Sequence, residues 1–562
     1  MDDSMVFGKT VADIVVERLT GWGVKRVYGI PGDAINTIMD AIRKSKDIEF
    51  ILVRHEEAGA FAASAEAKLS GKLAACVGTA GPGSIHLLNG LYEAKTSRVP
   101  VIALTGQVDS DLIGTDYFQE IDLLRLFSDV SVYNQRIASP DDAEVVIETA
   151  CRNAVSMRGV SHISFPLDIP RRKVSRSAQE TSVTYTEAKP VAGDADLGKA
   201  ADLLNNGKNV IILAGSGARA AGDILIEFSE KIGAPICVTL PGKGCIPDDH
   251  PNCLGGLGLI GTRPSQNAME EADTLLMVGT SYPYTQFLPE KARTIQIDLD
   301  PGKIGKRKQV DVALLGDARD TIERLLKLVK ARDKKEFLER YRKEMVKWKE
   351  KIDDDCADGR KPIRPQIAAR ALQEELPDDA IVCVDVGNVT VWIARYFKSG
   401  RHKFIFSPWL GSMGVALPSA IGAALSNPAK RVAAFAGDGG FTMLMGDFNT
   451  AVKYSLPIVV VVINNGILGM IKFEEEVMGH PEFGIELHNP NYADYAIACG
   501  GFGIRVTEPG EVRKAIRAAI DSGKPALVEI MADPQERPMP PKIKSSQAIH
   551  YATALFREKF DY

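Results

Sequence analysis

Residues 431–440 read RVAAFAGDGG, and residues 457–465 read PIVVVVINN. Each apolar run has the length of a strand and ends in turn-forming residues, which predicts two buried strands of a parallel sheet. Asp438 and Asn465 follow these strands, so we expect both at the carboxyl edge of the sheet, where open α/β sheets bind ligands. Their oxygens suit Mg²⁺ that shares its shell with phosphate, and the flanking glycines let backbone N–H groups approach that phosphate. The alternative is a pair of capped turns without a ligand.

Working outward from these strands, similar apolar runs alternate with helical patterns along the whole chain. This alternation predicts an α/β fold with three doubly wound parallel-sheet domains in series. We expect the domains at residues 1–175, 190–330 and 360–545, with a linker at 172–193 and a tail helix at 546–562. The predicted strands are 26–28, 49–53, 73–77, 101–104, 162–165, 209–214, 234–240, 274–279, 294–299, 380–387, 431–440, 457–465 and 526–533. The charged stretch 334–355 is expected to be a solvated connecting helix, with a partner-binding helix as the alternative.

Composition excludes several classes of protein. The chain has 562 residues, 45% of them hydrophobic and 25% charged, which is typical of a folded globular protein. Its net charge of −5 gives no basic surplus for nucleic acid. The start of the chain lacks the pattern of a signal peptide, and no apolar run is long enough to span a bilayer. The eight cysteines contain no Cys-x-x-Cys pair, so we expect buried thiols in the cytoplasm rather than structural zinc.

The Gly-Asp-Gly motif followed by Asn-Asn resembles the signature of the thiamine-diphosphate-dependent enzymes. The resemblance implies that Mg²⁺ is held by Asp438, Asn465 and the backbone oxygen of Ile467. In Gly411-Ser412-Met413-Gly414 it assigns Met413 to forcing the bent shape of the cofactor, and the Gly411 carbonyl to receiving the 4′-amine. The full set of thiamine diphosphate-binding residues that we expect is Gly387, Asn388, Gly411, Met413, Gly437, Gly439, Gly440, Ile467 and Gly469.

A second motif, RHEEAG at residues 54–59, opens a predicted helix in the first domain. Two glutamates in the first turn of a helix usually serve as capping residues. In the family, however, the glutamate after histidine, here Glu56, bonds N1′ of the aminopyrimidine and promotes loss of the thiazolium C2 proton. It comes from the partner subunit, which implies a homodimer and, by resemblance, a homotetramer. His86, Phe118 and Gln119 are candidates for holding a small substrate, pyruvate or a related 2-oxo acid, and each of them could equally have a structural role.

The middle domain resembles the FAD domain of pyruvate oxidases and acetolactate synthases. A Gly-x-Gly turn after a strand is a weak dinucleotide signal by itself, and it is reinforced here by further glycines and acids that follow strands. Some members of the family keep this domain without flavin. The FAD-binding residues that we expect are Gly215, Gly217, Arg219, Thr239, Leu257, Gly258, Gly279, Asp298, Leu299, Gly316 and Asp317.

Residues 470–474 bear on the branch of the family. Glu474 stands where acetolactate synthases have tryptophan and pyruvate oxidases have glutamate, whereas Met470 is the type found in the synthases. Together with Ile471, these side chains are expected to line the reaction pocket. The prediction is a pyruvate oxidase-like enzyme that makes acetate or acetyl phosphate and CO₂, with acetolactate synthase as the alternative.

In the tail, an apolar stripe over 546–560 favours a helix docked on its own protein over a helix on a membrane surface.

Overall fold

The computed structural model describes residues 9–174, 185–186, 189–357 and 359–541. Three six-stranded sheets follow one another along this part of the chain, and every strand pair in them is parallel. Helices surround each sheet, which confirms the predicted α/β fold. The predicted tail helix and most of the predicted linker lie outside the described residues. None of the described helices is long and apolar enough to cross a membrane.

The first sheet has the strand order β2-β1-β3-β4-β6-β5. Its central strands β3, β4 and β6 are fully buried. The strands are β1 Arg26–Gly29, β2 Glu49–Leu52, β3 Ala74–Gly78, β4 Val101–Gln107, β5 Ser131–Arg136 and β6 Val160–Pro166. The helices are α1 Val11–Gly21, α2 Asn36–Lys44, α3 Glu56–Ser70, α4 Pro82–His86, α5 Leu88–Ser97, α6 Leu123–Leu126 and α7 Ala143–Met157.

The middle sheet has a different order, β12-β11-β10-β7-β8-β9. Its strands are β7 Val210–Ala214, β8 Ile236–Val238, β9 Cys253–Gly256, β10 Thr274–Val278, β11 Arg293–Asp298 and β12 Val312–Leu315. Its helices are α8 Asp194–Asn206, α9 Gly222–Ile232, α10 Arg263–Glu271 and α11 Ala318–Leu328. Because β8 and β9 extend the sheet on one side of β7 and β10 to β12 extend it on the other, the chain reverses between β7 and β10. This is the order of dinucleotide-binding domains.

The third sheet, β14-β13-β15-β16-β18-β17, repeats the topology of the first and reverses between β13 and β15. Its strands are β13 Ile381–Val384, β14 Lys403–Ile405, β15 Val432–Gly437, β16 Ile458–Asn464, β17 Phe502–Val506 and β18 Ala526–Met531. After the connecting helix α12 Glu336–Ala357, the helices are α13 Pro365–Glu375, α14 Asn388–Tyr396, α15 Ala416–Ser426, α16 Asp438–Leu444, α17 Phe448–Lys453, α18 Gly469–Met478, α19 Tyr492–Ala498 and α20 Val512–Asp521.

The first and third domains pack directly against each other through α3 and α15. Gly422 makes this close approach possible, since a Cβ there would lie 2.3 Å from the carbonyl oxygen of Ala62. The charged helix α12 joins the middle and third domains. Tyr341 packs into the middle-domain core, and Ile352 packs into the core of the third domain. These contacts fix the relative positions of the sheet edges described below.

Candidate active site

The carboxyl edge of the third sheet gathers three helix N-termini. Helix α14 begins at Asn388 after β13, α16 begins at Asp438 after β15, and α18 begins at Gly469 shortly after β16. Gly387 precedes α14 with φ +113°, a conformation that favours glycine. Unpaired N–H groups and the helix dipoles make such an edge attractive to a phosphate group.

Asp438 lies at the centre of this edge and is 3% exposed. Its Oδ1 accepts a hydrogen bond from Gly439 N at 3.0 Å, and its Oδ2 accepts from Gly466 N at 2.7 Å and from Asn489 Nδ2 at 2.8 Å. Burial raises the pKa of this carboxyl group in spite of these donors. A bound cation would reverse that effect, so the environment fits a metal ligand.

Asn388 and Asn465 meet across Gly469, where there is no room for a side chain. A Cβ on Gly469 would lie 2.6 Å from Asn388 Nδ2 and 3.1 Å from Asn465 Nδ2. Asn465 Oδ1 accepts weakly from Ile467 N at 3.3 Å. Asn388 Oδ1 is buried and has no partner among the described residues. These amide oxygens, together with Asp438, are ligands suited to Mg²⁺ that shares its shell with a diphosphate.

The residues that hold Asp438 in place were not predicted from the sequence. Asn489 Nδ2 also donates to Asn464 Oδ1 at 3.0 Å, and Tyr492 Oη donates to Asn489 Oδ1 at 2.9 Å. Glu529 of β18 is fully buried and accepts from Asn464 Nδ2 at 2.7 Å. Asn489 lies in an irregular segment after α18, where periodicity carries no signal. Glu529 could have been found as a lone acid within an apolar strand.

The loop that precedes α15 carries Gly411 and Met413. Met413 Cε reaches to 3.3 Å from the position of a Cβ on Gly439, so its side chain extends over the start of α16. Gly411 has φ +70°, and Gly414 N donates to Asp385 Oδ1 at 2.9 Å. Asp385 follows β13, is 1% exposed, and its Oδ2 has no partner among the described residues. Burial raises the pKa of Asp385 to about 6.

Glu56 belongs to a separate group in the first domain. It is the first residue of α3, is 6% exposed, and its Oε2 lies 2.9 Å from His86 Nδ1. The His55 ring stacks on the His86 ring at 4.4 Å between centroids, and the three side chains bring potential ligand atoms within 4.8 Å of one another. No hydrogen bond among the described residues joins Glu56 to the Asp438 group. The structure therefore brings Glu56 together with His86 within one chain.

Phe118 and Gln119 lie on the loop between β4 and α6, beside the Glu56 group. Gln119 has a left-handed φ of +63°, and its carbonyl oxygen lies 3.0 Å from the position of a Cβ on Gly81, which caps α4. Phe118 is 76% exposed. An exposed phenylalanine on this loop leaves an open apolar surface in the single chain.

The first two turns of α18 place the remaining predicted pocket residues. Met470 is partly buried against the third-domain core, whereas Ile471 is 44% exposed and Glu474 is exposed. Residues three apart share a helix face, so Ile471 and Glu474 project together into solvent. They are accessible to a substrate or to a partner chain.

The middle domain places nearly all of its predicted residues at its own carboxyl edge, around the chain reversal. Gly217 N donates to Gly279 O at 3.1 Å, and a Cβ on Gly279 would lie 2.4 Å from the Gly217 Cα. Gly215 is equally close to this strand end, with its N–H donating to Val278 O at 2.9 Å. Thr239 follows β8 and has a buried Oγ1 without a partner among the described residues. The dense glycine contact and the unpaired hydroxyl fit the phosphate end of a dinucleotide.

The other predicted FAD-binding residues lie at the same edge of the middle sheet, where some of them also make structural contacts. Asp298 ends β11, and burial raises its pKa. Leu299 follows it, whereas Leu257 and Gly258 follow β9. Asp317, after Gly316, accepts from the N–H groups of Arg319 and Asp320 and so caps α11. Arg219 donates to the carbonyls of Pro241 and Phe404, which ties the middle domain to the third.

Three models of one protein family match the chain. The thiamine pyrophosphate enzyme N-terminal TPP binding domain matches residues 9–126, the central domain matches 197–325, and the C-terminal TPP binding domain matches 385–530.

Similar proteins cover almost the whole chain. A Bacillus subtilis protein, YdaP, which is named as thiamine pyrophosphate-containing, is 44% identical over 98% of this chain and 96% of its own length. The pyruvate oxidase of Lactiplantibacillus plantarum is 34% identical over 97% of this chain and 93% of its own. Acetolactate synthase 2 of Zea mays, a chloroplastic protein, is 32% identical over 94% of this chain and 86% of its own. The last two identities are too similar to separate an oxidase from a synthase.

Proposed function

The chain belongs to the thiamine pyrophosphate enzyme family, and we propose that it decarboxylates pyruvate oxidatively with thiamine diphosphate, Mg²⁺ and FAD. Asp438, Asn465 and the Ile467 carbonyl would hold the metal, and the N-termini of α14, α16 and α18 would bind the diphosphate. Support comes from the buried Asp438 carboxylate and from the unpaired Asn388 Oδ1, whose side chain lies near Asn465 across Gly469. When bound, thiamine diphosphate supplies a carbon nucleophile and an electron sink for decarboxylation.

The protein side chains contribute proton transfer and positioning. Glu56, next to His86, would hold and move a proton at the aminopyrimidine, which is the general acid–base part of the reaction. Met413, lying over Gly439, would support the bent form of the cofactor. Since Glu56 and the Asp438 group have separate contacts in one chain, we propose that Glu56 serves the site of a partner subunit.

A homodimer, assembled further into a homotetramer, is therefore part of the proposal. The surface beside Glu56 supports it, because Ile85 is 46% exposed, Tyr117 51% and Phe118 76%. Exposed apolar residues close to a catalytic group are typical of an interface that a partner covers. The predicted tail helix, docked on its own protein or, as the alternative, on a membrane surface, lies outside the described residues.

The observation that carries the flavin proposal is the strand order of the middle sheet. This order places the Gly215–Gly217 turn and Gly279 at the chain reversal, where dinucleotides bind. The first and third sheets have another order, although all three share the α/β architecture. These residues would hold FAD, which supplies a two-electron acceptor when bound, and water or phosphate would take the acetyl group to give acetate or acetyl phosphate.

Acetolactate synthase is the second candidate. Met470, on the first turn of α18, is of the type found in those enzymes, and FAD alone does not separate the branches. Glu474 argues against it, because an exposed carboxylate stands where the synthases place a tryptophan. A charged, hydrated side chain gives a second 2-oxo acid no apolar surface to bind.

A product assay tests the proposed reaction. The purified protein is incubated with pyruvate, Mg²⁺, thiamine diphosphate and FAD, under air and with an artificial electron acceptor. We expect CO₂ with acetate, or with acetyl phosphate when phosphate is present, and no accumulation of acetolactate. Acetolactate as the main product would assign the chain to the synthases instead.

A further inference from the structure

The loop formed by residues 407–414 carries Gly411 and Met413 and is fixed at its start by Ser407. The Ser407 hydroxyl oxygen accepts a hydrogen bond from Ser412 N at 3.0 Å, and Gly411 N donates to the Ser407 carbonyl at 3.2 Å. Ser407 is only 6% exposed. Its side chain therefore holds the backbone at Ser412, the residue before Met413.

The hydroxyl proton of Ser407 is donated to a carboxylate from another domain. Glu93, on α5 of the first domain, is fully buried and accepts this bond at Oε2. Its Oε1 accepts from Lys68 Nζ and from Ser97 Oγ, the latter at 2.8 Å. Lys68 Nζ also donates to Phe406 O at 3.0 Å, next to Ser407. A buried ion pair of the first domain thus holds the start of the loop in the third.

Burying the Glu93 carboxylate away from water costs free energy. Burying a carboxylate requires compensating bonds, and an apolar contact of similar shape is often as stable. Three hydrogen-bond donors compensate the charge of Glu93. One of them is the Ser407 hydroxyl, which Glu93 thereby orients to accept from Ser412 N. Because buried charge pairs can enforce a specific geometry, this network fixes the position of the loop.

We propose that Glu93 is a positioning residue that acts through Ser407 to set loop 407–414 for the pyrimidine end of the cofactor. The inference rests on the proposed function, since it assigns no new ligand. The hydrogen bond from Ser407 to Glu93 links α5, which belongs to the same domain as Glu56, to the loop that would receive the 4′-amine. The 4′-amine side of the pyrimidine ring would then be held by this loop, whereas its N1′ side would be bound by Glu56 of the partner subunit.

Two further attachments place the rest of this loop. Gly414 N is held by Asp385 of the third domain, as described above. Trp409 packs on the guanidinium of Arg307 at 4.9 Å, and Arg307 donates to Ser281 O at 2.7 Å and to Ser281 Oγ at 2.9 Å. Ser281 follows β10 at the proposed flavin edge. The loop is consequently attached to all three domains. Its contacts with the first domain are made by Ser407 and by Ser412, whose Oγ accepts from Asn89 Nδ2 at 2.9 Å.

The test compares two probes in the presence of Mg²⁺. Thiamine diphosphate occupies both ends of the proposed site, whereas inorganic pyrophosphate occupies only the diphosphate end. For Ser407→Ala we expect about tenfold weaker binding of thiamine diphosphate, roughly the effect of one lost buried hydrogen bond. Pyrophosphate binding should stay unchanged. The matched control is Ser426→Ala, whose hydroxyl donates to Gly422 O within α15 and touches no part of the loop.

Three outcomes would overturn the inference. Equal losses for both probes would mean general damage to the domain, and unchanged thiamine diphosphate binding would mean that the loop needs no such support. If wild-type protein shows no Mg²⁺-dependent binding of thiamine diphosphate, the proposed function fails and the inference fails with it. A loss confined to thiamine diphosphate supports positioning.

A double variant tests the route from Glu93 through Ser407. Glu93→Gln preserves the shape of the side chain but removes its charge, so we expect it to weaken thiamine diphosphate binding. If Glu93 acts through Ser407, the affinity of the double variant for thiamine diphosphate should equal, within about twofold, that of whichever single variant binds it more weakly. Losses that multiply would show that Glu93 acts elsewhere and would overturn the assignment.

Discussion

Replacing Asp385 by asparagine should change how the stability of the protein depends on pH. Burial raises the pKa of Asp385 from its ordinary value of 3.8 to about 6, and the side chain is 1% exposed. A raised carboxyl pKa means that the folded protein binds a proton more tightly than the unfolded chain. Stability therefore falls as pH rises from about 3.8, and the loss is complete above about pH 6.

The size of the effect follows from the same values. The difference is about two pKa units at about 1.4 kcal/mol each, so ionised Asp385 costs about 3 kcal/mol above pH 7 and about half of that at pH 5. Asparagine keeps an oxygen for the N–H groups of Val386 and Gly414 but cannot ionise. The stability of Asp385→Asn relative to wild type should thus rise by about 1.5 kcal/mol between pH 5 and pH 7.5.

Urea unfolding of the cofactor-free protein, followed by tryptophan fluorescence, measures this difference. Trp392 is a suitable reporter because it is buried in the third-domain core. Asp447→Asn is a companion variant, since burial also raises the pKa of Asp447 to about 6, and it should show the same sign. A stability difference for Asp385→Asn that stays constant from pH 5 to pH 7.5 would refute the reasoning.

Three other substitutions test the cofactor sites. Gly279→Ala should abolish FAD binding because its Cβ would meet Gly217 Cα at 2.4 Å, whereas Gly198→Ala, with open space in α8, should leave flavin content unchanged; equal flavin absorbance in both variants would contradict this. Glu56→Gln should remove most turnover and keep cofactor affinity, since only proton transfer needs the carboxylate; near wild-type kcat would sink the assignment. Asp438→Ala should abolish Mg²⁺-dependent binding of thiamine diphosphate, and a calorimetric titration with unchanged affinity would rule out its role as a metal ligand.

The sequence predicted the central strands of all three sheets and missed strands only at their edges. Strands β5, β9, β12, β14 and β17 were not predicted, and each of them lies at the edge of its sheet. An edge strand pairs on one side only and is less buried, so it lacks a continuous apolar run. Strand β5 has only exposed and half-buried residues, and β14 has only three residues.

The same physical limit applies to the site. Residues that directly follow an apolar strand, such as Asp438 and Asn465, can be placed at a sheet edge from the sequence. Asn489 and Glu93 cannot, because they reach the site from an irregular segment and from another domain. Asp385 lies within the predicted strand 380–387 and directly follows β13 in the structure. Its importance depends on burial and on its bond to Gly414 N, which no local pattern reveals.

In the proposed reaction, pyruvate oxidation passes electrons to a flavin in the middle domain. The most direct test mixes the purified holoprotein with pyruvate, Mg²⁺ and thiamine diphosphate without oxygen and follows the visible absorbance of bound FAD. We predict a yellow protein that is bleached by pyruvate and that recovers its colour when an electron acceptor is added. A flavin that stays oxidised while acetolactate accumulates, or a colourless protein that gains no activity from added FAD, would contradict the account.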